Sequence, residues 1–239
     1  MATTAAARPV PPLTRETRMF VQIATVCLVV VVAGFGLNAG LGRVDVVTLP
    51  WAVYGHGVIF MAWCMLALVQ PMLIGRANRA THRRLGWTGI ALAVAMGVSG
   101  LWLTVDAVIA GRMRPGNLFM MINILTVIGF LGLIGAAILL RRNIAWHGRL
   151  MTSATIILTG PAWARLLPMQ FLGPAGLLAI SGCVLALAAW GMLHDLRTRA
   201  RIHPAWYWGA GIATGIGLIG PPLAFIPAFS GWVSTFAAP

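Results

Sequence analysis

Seven apolar runs, each long enough to cross a bilayer, follow one another along this chain with only short polar breaks between them. They cover about residues 19–41, 51–75, 86–109, 117–140, 150–168, 172–193 and 206–226. A helix rises ~1.5 Å per residue, so about 20 apolar residues cross a ~30 Å hydrocarbon core. None of the breaks has room for a soluble domain. The expected fold is all-α: a polytopic membrane protein with seven transmembrane helices in one bundle over residues 19–226. A cytoplasmic N-terminal tail (1–18) and an outer C-terminal tail (227–239) would flank it. Composition agrees, with 59% hydrophobic and 9% charged residues, against about 25% charged in an ordinary soluble chain. So few charges cannot clothe a soluble core, which excludes a soluble enzyme, a nucleic-acid-binding domain and a disordered tail. The lipid bilayer is the expected partner, and nucleic acid is not.

The formal net charge is +13, and all 17 basic residues are arginine. They cluster in the polar breaks, as topology determinants do. With the N-terminus inside, the inner face holds thirteen: Arg8, Arg15, Arg18, Arg76, Arg79, Arg83, Arg84, Arg141, Arg142, Arg149, Arg197, Arg199 and Arg201. The outer face holds Arg43, Arg112 and Arg114, and Arg165 falls inside a run. That bias predicts a cytoplasmic N-terminus and an outer C-terminus. The first run is too long for a signal peptide, and no small-x-small cleavage site follows it cleanly, so it reads as an uncleaved anchor.

Cys27, Cys64 and Cys183 each stand alone in an apolar run and read as packing residues. Small residues at four-residue spacing (Gly209, Ala213 and Gly217; Gly211 and Gly215) would let helix backbones approach within the bundle or across a homodimer. Trp51, Trp87, Trp146, Trp206 and Trp208 fall at span ends and read as headgroup anchors.

An ionisable group inside a span is a functional candidate, because hydrocarbon penalises it. His56 lies about five residues into the second run and Arg165 about fifteen into the fifth, which puts both some 7 Å below the outer boundary. Asn123 falls at a similar level, with Asp106 and Asn38 slightly shallower. Gly160-Pro161 interrupts the fifth run near mid-bilayer, where proline removes a helical hydrogen bond. Broken helices of this kind line binding sites in many transporters. Two readings follow. In one, an outward-facing polar pocket uses Arg165 to hold a small anion, His56 as a titratable hydrogen-bonding group, and Asn123 and Asp106 to orient it. In the other, Arg165 clasps Asp106 or a backbone carbonyl and only braces the bundle.

The inner face gathers His82, His147, His194, Asp195 and His203. The segments around His82 and His147 echo each other, each with an arginine two residues on and a leucine three residues on. Both stand just before a span, where helix N-termini offer free donors to phospholipid phosphates or to an anionic ligand such as haem propionates. Two histidines at one level can supply both axial ligands of a haem. His82, His147 and His194 share the inner boundary, whereas His56 has no histidine at its own depth and Gln70 follows it fourteen residues on. One haem b is therefore conceivable and two are not. The chain has no HExxH, P-loop, Ser-His-Asp order or paired carboxylates on one helix, so no catalytic residue and no metal centre is assigned.

The run His56-x3-Phe60-x2-Trp63-x6-Gln70, then His82-Arg83-Arg84-Leu85-Gly86-Trp87, resembles a family of bacterial multi-pass membrane proteins of unknown function. So do His147-Gly148-Arg149-Leu150-Met151, Pro161-Ala162-Trp163-Ala164-Arg165-Leu166 and Asp195-Leu196-Arg197-x3-Arg201-Ile202-His203-Pro204. This resemblance covers about residues 50–210 and implies a bacterial inner (cytoplasmic) membrane. It marks His56, His82, His147, Arg165, Asp195 and His203 as positions to probe. In helical make-up and in histidines near span ends the chain is also similar to cytochrome b561-type haem bundles. The expectation is a non-enzymatic membrane protein that transports or senses a small ligand. The alternatives are a redox protein with one haem b between inner-face histidines, and a structural membrane partner without ligand.

Overall fold

The computed structural model describes residues 13–237, and every regular element in them is helical. In chain order they are α1 (Arg15–Gly40), α2 (Trp51–Gly75), α3 (Arg79–Ile109), α4 (Gly116–Leu139), α5 (Ile144–Ile157), α6 (Gly160–Leu166), α7 (Met169–Leu172), α8 (Gly176–Arg199), α9 (Ala205–Leu218), α10 (Gly220–Ala224) and α11 (Pro227–Ser234). Short 3-10 turns stand at Val46–Thr48 and Gly173–Ala175. Five helical segments are long and apolar enough to cross a membrane: α1, α2, α3, α4 and the stretch Met169–Arg199. The chain is a multi-pass helical membrane protein.

The two remaining apolar runs are broken. The run at 150–168 divides into α5 and α6, and the run at 206–226 into α9 and α10. Each break puts proline in the first turn of the second helix, where its missing N–H would have had no helical acceptor. At the first break Thr159 knits the ends together. Its hydroxyl donates to the Ile156 carbonyl at 2.7 Å, and its own carbonyl accepts from Ala162 and Trp163 at 3.0 Å each.

Several element boundaries differ from the hydropathy reading. Helix α3 begins at Arg79, not 86, because the Asn78 side chain accepts from the Thr81 N–H at 3.1 Å and caps the turn that carries the histidine. Asn143 does the same for α5, accepting from the Trp146 N–H at 3.4 Å. The expected outer tail includes α11, which packs on α4, where Val233 and Met120 form a buried cluster with Val108 of α3. At the other end, α1 starts at Arg15 under a Thr14 cap. The first twelve residues of the expected N-terminal tail, Arg8 among them, lie outside the described residues.

Helix α5 is the hub. It touches α1, α2, α4, α8 and α9, and residues 153–159 are buried without interruption. Large apolar side chains such as Val32, Val58, Val98, Trp102, Ile128 and Leu178 face outward on the surrounding helices, as a lipid-facing surface requires. The small-residue notches pack inside the bundle. A Cβ on Gly209 would lie 2.4 Å from the Ser153 side chain, and one on Gly217 2.1 Å from Ser181 Oγ, whereas Gly211 faces open space. Trp51, Trp87 and Trp208 are 84%, 75% and 63% exposed, whereas Trp206 is wholly buried.

A close backbone approach joins α1 to α6. A Cβ on Gly34 would lie 2.6 Å from the Ala162 carbonyl oxygen and 2.9 Å from its Cα. Gly36, two residues on, has nothing within 4 Å. Gly34→Ala should therefore cost about 1–3 kcal/mol by overpacking, whereas Gly36→Ala should be neutral or stabilising by up to about 1 kcal/mol through helix propensity. Thermal unfolding of the two variants in detergent checks the opposite signs.

Candidate functional site

Three polar clusters interrupt the apolar bundle. The first is centred on Arg149, which the charge pattern places among the headgroup-level arginines but which the fold buries completely. Its Nε donates to Asp195 Oδ2 at 2.8 Å, and Nη2 donates to Asp195 Oδ1. Nη1 reaches Glu16 Oε1 at 2.7 Å and the Ala145 carbonyl at 3.1 Å. Asp195, also fully buried, accepts further from the His203 backbone N–H (3.2 Å) and from Trp206 Nε1 (3.0 Å). Glu16 Oε2 takes a last bond from Arg199 at 2.9 Å. Every charge here has a hydrogen-bonded partner, as buried charges require. Trp206 is thus an internal donor and not a headgroup anchor. Its ring fills the space beside Gly191, where a Cβ would come within 2.2 Å.

His203, in the linker between α8 and α9, completes this cluster. Its ring stands edge-on to Trp146 with centroids 5.2 Å apart, and its Nδ1 accepts the Ala205 N–H at 3.2 Å. Desolvation, then the neighbouring Arg149 charge, holds its pKa below the ordinary value of 6.5.

The second cluster brings two sequence candidates face to face. His82 and His147 lie in the first turns of α3 and α5, with ring centroids 6.2 Å apart and planes at 83°. The His147 Nδ1–H donates to the Ala137 carbonyl at 2.9 Å, which leaves Nε2 as the lone-pair nitrogen. Gln70 Nε2 donates to the His82 carbonyl at 3.2 Å. Gln70 Oε1 and His82 Nδ1 are both buried without a partner among the described residues. His194 does not join them: among the described residues no side-chain hydrogen bond or ring contact links it to either. The two imidazoles meet each other and do not fan out to separate headgroups.

The third cluster is what the fold makes of the outer polar layer. His56 and Asn123 line one cleft of about 70 Å³ beside Pro161. Arg165 and Asp106 do not. Arg165 Nη1 donates to the Pro161 carbonyl at 2.7 Å, and its guanidinium lies over the Phe35 ring, 4.2 Å from the centroid. Asp106 pairs with Arg112 on the half-exposed turn after α3. Arg165 thus adopts a carbonyl clasp, and of the four expected residues His56 and Asn123 share a cleft while Arg165 and Asp106 lie outside it. The sequence reading missed Ser99, whose Oγ lies 2.7 Å from His56 Nδ1. It also missed Glu16, Arg199 and Trp206 as partners of the buried pair.

Set against protein-family models, curated proteins and solved structures, the chain matches none.

Removing one partner of a buried ion pair strands the other charge. Arg149→Ala should destabilise the protein by about 3–5 kcal/mol. Arg149→Met with Asp195→Leu should be less damaging than the single change, although short of neutral because the Trp206 and His203 N–H donors lose their acceptor. Unfolding in detergent measures both. His203 is held neutral in the folded state, so its contribution is complete above pH ~6.5 and is lost as pH falls through the depressed pKa. His203→Asn keeps a side-chain acceptor without the titration and should flatten the acid limb of a stability profile between pH 7 and pH 5.

Proposed function

We propose that this is a seven-crossing protein of a bacterial inner membrane, cytoplasmic at its N-terminus and outer at its C-terminus, that carries one haem b between His82 and His147. The arginine asymmetry and the apolar character of the two broken runs support the topology. The resemblance in the His82 and His147 motifs supports the bacterial membrane.

The observation that carries the haem reading is the disposition of the two imidazoles. His82 and His147 stand with ring centroids 6.2 Å apart, and they would be the two residues to hold the group. Edge-to-face packing of free rings spans the same range, so the reading is supported by two further features. The bond from His147 Nδ1 to Ala137 is the outer-shell contact that fixes ring and tautomer in a metal-binding histidine. The unpartnered His82 Nδ1 is a buried polar atom that the protein alone leaves unsatisfied. Zinc needs three or four converging ligands, and among the described residues no three His, Cys, Asp or Glu side chains gather. A group that takes two protein ligands and carries the rest of its own coordination fits this pair.

His82 and His147 would hold the haem, which would supply one-electron transfer at the expected inner boundary of the membrane. The chain holds the two rings at a fixed spacing on capped helix ends and sets α5, which bears His147, through the Arg149 network. Protein purified from haem-replete cells should show a Soret band that is lost in His82→Ala and in His147→Ala and kept in His194→Ala. A colourless preparation overturns the reading.

A second reading is supported by the outer cleft: a site for a small molecule entering from outside, for transport or sensing. It rests on His56 and Asn123 sharing one opening beside the α5–α6 break.

A further inference from the structure

The cleft between α2, α3, α4 and the α5–α6 break has a polarity that its hydrogen bonds set. Ser99 Oγ donates to the Ala95 carbonyl at 2.6 Å, the back-bond a helical serine commonly makes. A hydroxyl has one proton, so towards His56 Ser99 is an acceptor and His56 Nδ1 carries the hydrogen at 2.7 Å. In the neutral ring the lone pair then sits on Nε2, which has no partner among the described residues. Asn123 gives one N–H to the Phe119 carbonyl at 2.8 Å and keeps a second. The Thr126 hydroxyl is committed to Ile122 at 2.7 Å. The rest of the wall is apolar, with Phe60, Met96, Phe130 and Leu158, and bare at Gly97 and Gly100.

An anion is the wrong guest for this wall. No arginine lines it, because Arg165 is turned to Phe35 and to the Pro161 carbonyl, and the His56 lone pair repels negative charge. The space of about 70 Å³ is about half of the ~150 Å³ apolar cavity that takes up benzene. That admits a hydroxyl and a short carbon stem.

We propose that the cleft binds a small uncharged molecule of the alcohol class. Its O–H is donated to His56 Nε2, its oxygen accepts the free Asn123 N–H, and its alkyl part lies against Phe60, Met96 and Leu158. This rests on the outer-site reading above and replaces the expected anion with a neutral donor.

The test uses the full chain in phosphatidylcholine nanodiscs at pH 8, with 15N-labelled histidine and the His56 signal assigned by its loss in His56→Gln. Three probes of similar size are titrated: ethanol, its isomer dimethyl ether, which cannot donate, and acetate. Expected is a saturable shift of His56 Nε2 with ethanol, at least tenfold weaker binding of the ether, and no shift with acetate. Asn123→Leu, checked for an unchanged melting temperature, should weaken the ethanol response at least tenfold. Equal responses to ethanol and ether would overturn the hydroxyl assignment and leave an apolar crevice. Tighter acetate binding would overturn it in favour of an anion site. Silence with all three would sink the cleft as a binding site and the outer-site reading with it.

Discussion

A guanidinium with no exposed surface in an apolar bundle must be met by carboxylates from elsewhere in the chain, and here that demand ties four segments into one end of the molecule. Arg149 on α5 takes Asp195 from α8 and Glu16 from α1, and Asp195 in turn takes Trp206 from α9. Guanidinium–carboxylate pairing of this kind is directional, and two parallel bonds fix rotation as well as distance. Helix α5 therefore has its height and azimuth set at its lower end. His147 stands two residues before Arg149 on the same helix, so the ring that faces α3 inherits its placement from a charge pair it does not touch.

The opposing ring arrives by a parallel route. Asn78 and Asn143 cap α3 and α5 with the same side-chain oxygen, and each stands four residues before its histidine. Both imidazoles thus leave the first turn of a capped helix, after a short link from the preceding helix. The local echo around His82 and His147 corresponds to a shared placement, and the fold turns the two ends towards one another. What distinguishes them is the neighbour behind each ring: a backbone carbonyl for His147, and the Gln70 carboxamide near His82.

Hydropathy was sufficient for the five long segments, because lipid-facing surface demands apolar residues all round. It also located the break at Gly160-Pro161, since proline acts through the backbone. Depth alone did not carry the outer layer. Level along a helix says nothing of azimuth, and Arg165 turns to Phe35 while His56 turns to Ser99. Nor does a charge tally reveal which arginine points inward. The acids held the clue. Asp106 has Arg112 six residues away, and Asp45 caps its own turn at Val47, which leaves Glu16 and Asp195 seeking distant partners among only four carboxylates.

The same tie reaches in both directions along the chain. Glu16, at the head of α1, lies 133 residues before Arg149, whereas Asp195 follows it by 46. A carboxylate one-third exposed and another wholly buried thus meet one guanidinium from its two sides in sequence, so the first helix and the last long one are clamped to the same residue.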